Sequence, residues 1–490
     1  MKIFSIAVNI HDHNTYDGVL HNQIERQSRI KHNLNPKNSH DPEPSRKFFK
    51  EYFLPNYNTK DQIFAFTVSN LGQEFVLDLL QKTLDTKFLD FKPTSLWDYY
   101  KTDDYYYIDH HQSHATYAYL SSGYSESDIL AIDGRGINFK CIFINKNGDI
   151  TDLSSKVSIG SLWNHFAKLL GFGNLGAGKI MGLAAYGEYS QTMQTIIDYY
   201  CDNNFQFPDG HIELVRELKL ADVAYTLQCA TIELINEYVL PLKTCDSICI
   251  AGGVAYNGYM NEEFTKHYKN VYVPPAPGDE GQSLGTYMHA DYILNNNVHI
   301  PSVYGGKKYD YVGDEKVNLT EVAQAIADGK IVGWFQGKSE SGNRALGNRS
   351  ILADPQNPNI KDIINSTIKL REDYRPFAPT VLEEYYQEYF DTNQPSPYMS
   401  RIVPVKSNKI PGVTHIDNTA RIQTLNREQN PKYYDLINEF YKITGIPMLL
   451  NTSFNCQEPI VETPEEAINT FNKTNLNLLV INDYILRKMG

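Results

Sequence analysis

Cysteine is scarce: the 490 residues hold six, scattered at Cys141, Cys201, Cys229, Cys245, Cys249 and Cys456. Cys245 and Cys249 form a CxxxC with no second pair, so neither a disulfide framework nor a thiolate zinc site is expected; reduced, mostly buried thiols are. Long apolar runs are missing too. None approaches the roughly 18 residues of a membrane span, and the first run stops before Asn9 and His11, short of a signal-peptide core. The sequence therefore predicts a soluble, cytoplasmic protein with no membrane partner. Positive charge is in deficit, with 45 Lys and Arg against 58 Asp and Glu and a net charge of −13. A protein whose main task is to grip a nucleic-acid backbone would be basic. Solenoid repeats, low-complexity tracts and coiled-coil heptads are also absent.

What remains is a globular balance, 41% hydrophobic and 21% charged, at a length that suggests about two to four domains. Over the first 300 residues one theme recurs: a β-rich apolar run, a polar or glycine-rich turn, then a helical pattern. KIFSIAVNIH (2–11), YYYID (105–109), DILAID (128–133), SICIA (247–251) and VYV (271–273) are such runs. Asn147-Gly148 predicts a hairpin. A stretch rich in Pro, Gly and Tyr, 301–318, reads as a linker between a domain at 1–300 and another at 319–490. The second opens with a helical pattern from 319 and the strand IVGWF (331–335).

The densest cluster of chemistry-bearing side chains is HHQSH at 110–114. If a helix starts here, His110 and His114 share a face four residues apart, the spacing of a metal-binding pair, and His111 points about 100° away. Zinc peptidases use this spacing with a Glu after the first His, but that slot holds His111, so the peptidase base is missing. Asp133, ending an apolar strand, and Asp279, opening a helix after PPAPG, are the acidic candidates. Such nitrogen and oxygen ligands suit Fe(II), Mn or Zn rather than Ca. The alternative is a buried hydrogen-bonded His pair with two capping Asp residues.

Strand-then-glycine turns at 132–136 and 250–257 expose backbone N–H groups that can hold phosphate or ribose, or are simply tight turns. Further on, GKSESGNRALGNRS carries Arg344 and Arg349, STIKLREDYRPFAP carries Lys369, Arg371 and Arg375, and Arg421 follows. With LLNTSFN (449–455) after a strand, these suggest an anion-binding pocket, since Arg holds phosphates bidentately. Solvated surface arginines are the alternative.

Taken together, ERQSRIKH (25–32), HHQSHATYAYL (110–120), AIDGRG (131–136), GKIMGLAAYG (178–187), AGGVAYNGYMN (251–261), VPPAPGDEGQSLG (273–285), GWFQGKSESGNRALGNRSILADP (333–355), REDYRPFAPTVLEE (371–384) and LLNTSFNCQEPIVETPEEA (449–467) resemble the O-carbamoyltransferase family. That family includes the nodulation-factor, aminoglycoside and cephamycin carbamoyltransferases. The resemblance implies an α/β chain: an N-terminal actin/sugar-kinase-like (ASKHA) metal domain joined to a C-terminal YrdC-like domain that forms carbamoyl-adenylate. It assigns His110, His114, Asp133 and Asp279 to a divalent metal, with Fe(II) favoured. It assigns Arg344, Arg349, Lys369, Arg371, Arg375, Arg421, Asn451 and Ser453 to carbamoyl phosphate and ATP with its Mg. Lys31, Gly252, Gly253 and Asn257 would face a nucleotide in the N-terminal domain, and His11 would be the catalytic base.

Two departures stand out. The glycine-rich loop has Asn343 where a proline is usual, and His11 is followed by Asp12-His13-Asn14-Thr15-Tyr16 rather than by small residues. The second implies a reshaped acceptor pocket. The expected acceptor is a hydroxyl of a small metabolite such as a sugar or antibiotic. A hydroxymethylated base in a nucleotide or DNA is the alternative, on account of the basic stretch 21–50. A threonylcarbamoyl-type RNA-modifying enzyme and an actin-like ATP-binding scaffold are the remaining readings.

Overall fold

The computed structural model describes residues 2–8, 14–23, 62–68, 86–103, 105–134, 136–173, 176–203 and 210–488. His11, Lys31 and nearly all of the basic stretch lie outside the described residues. The chain divides into two compact units, Met1–Ser302 and Val303–Gly490.

In the first unit, strands β1 (Lys2–Val8), β2 (Asn14–Tyr16), β3 (His21–Gln23), β4 (Gln62–Val68), β5 (Tyr100–Lys101) and β6 (Tyr105–Tyr107) make one sheet, ordered β3-β2-β1-β4-β6-β5. After it comes helix α1 (His110–Ser122). A second sheet contains β7 (Asp128–Ile132), β8 (Cys141–Ile144), β9 (Ile150–Asp152), β10 (Ser247–Ala251) and β11 (Asn270–Tyr272), ordered β11-β10-β7-β8-β9. The two repeat one plan: an antiparallel meander (β1-β2-β3, β7-β8-β9) whose first strand also carries two parallel strands (β4 and β6, β10 and β11). Parallel strands covered on both faces read as unbroken apolar runs, and DILAI and SICIA are buried at every position. The predicted hairpin joins β8 to β9, with Gly148 at φ +90°.

Helix α1 begins where it does because Asp109 caps it. Its carboxylate accepts the His111 N–H at 2.8 Å, and Gln112 reaches back to the Asp109 N–H at 3.0 Å. Gly123 ends it in the left-handed region. The helix is buried along most of its length, packed on β7, β10 and helix α2 (Gln282–Asn295).

The second unit is built on one mixed sheet. Its elements are β12 (Glu315–Lys316), helix α3 (Leu319–Ala327), β13 (Val332–Phe335), β14 (Arg349–Ala353), β15 (Ala378–Leu382), β16 (Arg401–Pro404), β17 (Thr419–Leu425), helix α4 (Pro431–Thr444), β18 (Met448–Ser453), helix α5 (Pro464–Lys473), β19 (Leu478–Ile481) and β20 (Tyr484–Arg487). The strand order is β12-β20-β19-β13-β14-β18-β15-β17-β16. Here the reading of 301–318 as a linker needs correction. The Ser341 N–H donates to Val303 O at 2.7 Å, the Gly306 N–H to Ser339 O at 3.1 Å, and β12 pairs with β20. From Val303 onward this stretch is part of the second unit, because its backbone groups are bonded into it.

Among the described residues no helix is long and apolar enough to cross a membrane, and all six cysteines are free.

Candidate functional site

At the C-terminal end of β7 the structure brings together His110, His114, Asp133 and Asp279. His110 and His114 come from the first turns of α1, Asp133 from the residue after β7, and Asp279 from a short turn before α2. His114 Nε2 lies 3.1 Å from Asp133 Oδ2 and 3.5 Å from Asp279 Oδ1. His110 Nε2 lies 3.3 Å from each of those carboxylate oxygens and 3.2 Å from His114 Nε2. All four donor atoms fall within 4.8 Å of one another. A four-coordinate ion with bonds of about 2.0–2.1 Å would hold its donors about 3.3–3.4 Å apart. The residues present therefore fit a divalent metal, and two imidazoles with two carboxylates favour Fe(II), Mn or Zn over Ca.

The electrostatics agree. Burial works against a charge on His114, but Asp133 and Asp279 outweigh it and raise the imidazole to about 9. Burial likewise opposes charge on Asp133, yet the hydrogen bonds from His110 and His114 hold its carboxyl well below the usual range. The two carboxylates thus favour positive charge at His114. His111 shares the helix but points elsewhere, against Phe139; burial and the neighbouring His110 push it down to about 3.

Several contacts hold the donors in register. Gln282 donates to His110 O at 3.1 Å and Ser113 to Gln282 O at 2.7 Å, tying α1 to α2. Glu280 accepts the Tyr256 hydroxyl and the Gly278 N–H, the latter at 3.1 Å. Gly252 and Gly253 back the same site. Gly252 has φ +92°, and a Cβ there would lie 2.1 Å from Ile132 O. A Cβ on Gly253 would lie 3.1 Å from Asp133 Oδ1. Asn257, expected at a nucleotide, is committed elsewhere. It caps the helix Gly258–Phe264 through Met260 N at 3.1 Å and donates to Gln228 at 2.9 Å.

The second unit gathers the predicted cations only in part. Lys369 is buried, and its ammonium contacts Ser453 Oγ at 3.1 Å and Asn455 Oδ1 at 2.5 Å. Arg371 donates to Asn365 Oδ1 at 2.7 Å, and Asn365 in turn donates to Arg375 O at 3.1 Å. Burial first, then the charge of Arg375, push Arg371 down to about 9. The Glu372 carboxylate opposes that shift, and a guanidinium keeps its proton at neutral pH. Arg421 donates to Met399 O at 3.0 Å, and Asn451 donates to Ala345 O, Thr380 and Gln423 inside the sheet.

Arg349 is a correction. It is fully buried, donates to Gln336 O, Asn348 O and Gly337 O at 2.7, 3.0 and 3.2 Å, and stacks 3.6 Å over Phe335. It builds the glycine-rich loop rather than facing a ligand. Glu340, which the sequence reading missed, does the same work from the other side. Its Oε1 accepts the N–H groups of Leu346, Asn348 and Arg349 at 2.7, 2.8 and 3.2 Å. A lone acid inside a glycine- and arginine-rich loop was the available signal.

Residues 40–288 match the family described as Carbamoyltransferase N-terminus, and residues 323–488 match Carbamoyltransferase C-terminus. Nodulation protein NolO of Bradyrhizobium diazoefficiens is 33% identical over 435 residues, covering 78% of this chain and 79% of the relative. Nodulation protein NolNO of Sinorhizobium fredii is 36% identical over 436 residues, covering 78% of this chain and 64% of the relative. An uncharacterized protein of Synechocystis is 32% identical over 466 residues, covering 78% and 76%. Among solved structures, the activator of the 2-hydroxyisocaproyl-CoA dehydratase from Clostridium difficile with bound ADPNP aligns at TM-score 0.36 and 10% identity, over 60% of this chain and 97% of that one. HypF of T. kodakarensis aligns at 0.32 and 12%, over 60% and 48%. Both scores are too low to bear on fold or chemistry.

Proposed function

Since the chain belongs to the carbamoyltransferase family, we propose that it is an ATP-dependent O-carbamoyltransferase that divides two half-reactions between its two units. The second unit is read as a YrdC-like domain. There, water releases phosphate from carbamoyl phosphate, and the resulting carbamate attacks the α-phosphate of ATP, giving carbamoyl-adenylate and pyrophosphate. Arg344, Lys369, Arg371 and Arg375 neutralise the phosphates. The first unit, whose two sheets share one plan, is read as an actin/sugar-kinase-like (ASKHA) domain that consumes the adenylate.

In the first unit His110, His114, Asp133 and Asp279 would hold a divalent ion, Fe(II) in the first instance. Such an ion, when bound, supplies Lewis-acid polarisation of a carbonyl. His11 takes the proton of the acceptor hydroxyl, a role typically worth about 10²–10⁴ in rate. The hydroxyl oxygen bonds to the carbamoyl carbon and AMP departs. The Gly252 N–H donates to Pro277 O at 2.7 Å and fixes the turn, so it is the Gly253 end of that turn that faces the adenylate, and the acceptor is a small hydroxylated metabolite.

The observation that most supports this reading is the separation of chemistries: a four-donor cluster in one unit, and in the other a buried Lys369 followed by Arg371 and Arg375, the two arginines joined through Asn365. ATP–pyrophosphate exchange measured with and without carbamoyl phosphate tests it. Exchange that depends on carbamoyl phosphate is expected. Exchange driven instead by bicarbonate and threonine would make the enzyme a threonylcarbamoyl type. ATP turnover with no acyl product would make it a scaffold.

A further inference from the structure

Helix α2 starts without a cap of its own. Gly281 occupies the capping position and has no side chain to offer, so the first N–H groups of the helix need acceptors from elsewhere. One comes from a distant part of the sequence. Asn14, fully buried on β2, accepts the Ser283 N–H through its Oδ1 at 2.9 Å. The other end of the same amide donates through Nδ2 to Asp279 O at 2.7 Å. One side chain therefore spans the turn that carries Asp279 and closes it onto the helix behind. The platform is rigid, because Asn14 pairs with Ala7 of β1 on one side and Gln23 of β3 on the other.

We infer that Asn14 is a positioning residue of the metal centre, holding the Asp279 ligand from the first sheet; this rests on the metal reading of the four-donor cluster. Glu280 and Gln282 tie the neighbours of Asp279, and Ser5 donates to Ser283 O at 2.7 Å, beyond it. With Asn14 gone, the Ser283 N–H loses an acceptor and the Asp279 carbonyl keeps the Gln282 N–H but loses its tie to the first sheet, so the carboxylate opposite His110 is held less firmly.

The test is titration of the metal-stripped full chain with Mn(II), the free ion being counted by its EPR signal, alongside thermal melts. Asn14→Ala is expected to weaken Mn(II) binding by about 10–100-fold, the range for partners that orient ligands. Ser5→Ala perturbs the same junction without touching Asp279 and is expected to leave Mn(II) affinity unchanged. If Asn14→Ala fails to fold, Asn14→Ser takes its place, since its hydroxyl keeps a polar group at the position but is too short to span both partners. Wild-type affinity in the folded Asn14 variant, or an equal loss in Ser5→Ala, overturns the inference. Wild-type chain that binds no Mn(II), Fe(II) or Zn removes the metal reading itself, and this inference with it.

Discussion

His114 Nε2 stands 3.1 Å from Asp133 Oδ2, a helix and a strand meeting across 19 residues of chain. The same Asp133 oxygen sits 3.3 Å from His110 Nε2, so one carboxylate serves both imidazoles. Removing one imidazole leaves three donors and an unbalanced buried charge. His114→Ala is therefore expected to lose its metal, measured by elemental analysis. Exchange of pyrophosphate into ATP, driven by carbamoyl phosphate, should continue near the wild-type rate if, as proposed, it belongs to the other unit. Exchange abolished in a folded variant would refute that division of labour.

Arg344 and Arg349 lie five positions apart in one loop but should answer substitution differently. Arg349→Lys gives up a planar fork that donates to three carbonyls and stacks on Phe335. Hydrogen bonds from a charged donor contribute about 1.5–3 kcal/mol each. A net loss of about 2 kcal/mol should lower Tm by roughly 4–8 °C for a unit of this size. On the proposed phosphate role of Arg344, Arg344→Lys should keep the melting temperature and lower the exchange rate by about tenfold or more, equivalent to about 1.4 kcal/mol. Calorimetry and exchange assays on the same two preparations decide the matter. An Arg344→Lys protein with wild-type exchange would place that side chain outside the nucleotide site.

His289 carries a pH dependence of its own. Its Nδ1 meets the Tyr106 hydroxyl at 2.7 Å and its Nε2 faces Leu96 O at 2.9 Å, an arrangement that suits one neutral tautomer. Burial first, opposed by Leu96 O and Asp98, pushes the imidazole down to about 4. Below about pH 6.5 the unfolded chain takes up a proton that folded His289 refuses until about pH 4. Stability is therefore complete above that window and falls, by the order of a few kcal/mol, as pH drops through it. His289→Gln should be less stable at pH 7 yet show a flatter acid limb in Tm plotted against pH. An unchanged limb would move the acid sensitivity to another group.

What the sequence made legible follows from what each pattern constrains. DILAI and SICIA were readable as strands because full burial demands unbroken apolar runs. His110 and His114 were readable as a pair because helical spacing alone decides that they share a face. Asp133 and Asp279 were placed by strand-end and turn signals rather than by any link between them, and the link exists only in three dimensions. The recurring apolar run, turn and helical pattern hints at the common plan of the two sheets in the first unit, but not at their strand order, since topology is fixed by pairing and many apolar sequences satisfy it.

The misreadings share one cause. An arginine or asparagine type declares a hydrogen-bonding capacity but not the partner. Arg349 found backbone carbonyls and Asn257 a helix end, both near positions where ligands were expected. The stretch around Val303 was read as a linker because glycine, proline and tyrosine report turns, and turns can be packed as well as exposed.

Gly160 offers the last test, because its substitution sets helix propensity against the four-donor cluster. It lies in the first turn of the helix Ile159–Leu169, where Ala would ordinarily stabilise by about 1 kcal/mol. A Cβ there would stand 2.4 Å from Gly134 N and 2.5 Å from both the carbonyl carbon and oxygen of Asp133. Those atoms are backbone, and Ser161 already fixes the spot by donating to Gly134 O at 2.8 Å, so nothing nearby yields as a flexible side chain would. The added methyl must push the strand end that carries Asp133 away from His110 and His114. Overpacking of this kind typically costs about 1–3 kcal/mol, more than the helix gains. Gly160→Ala should therefore melt lower than wild type and bind Mn(II) more weakly. A variant that melts higher and keeps wild-type affinity would show that the helix can shift without moving Asp133.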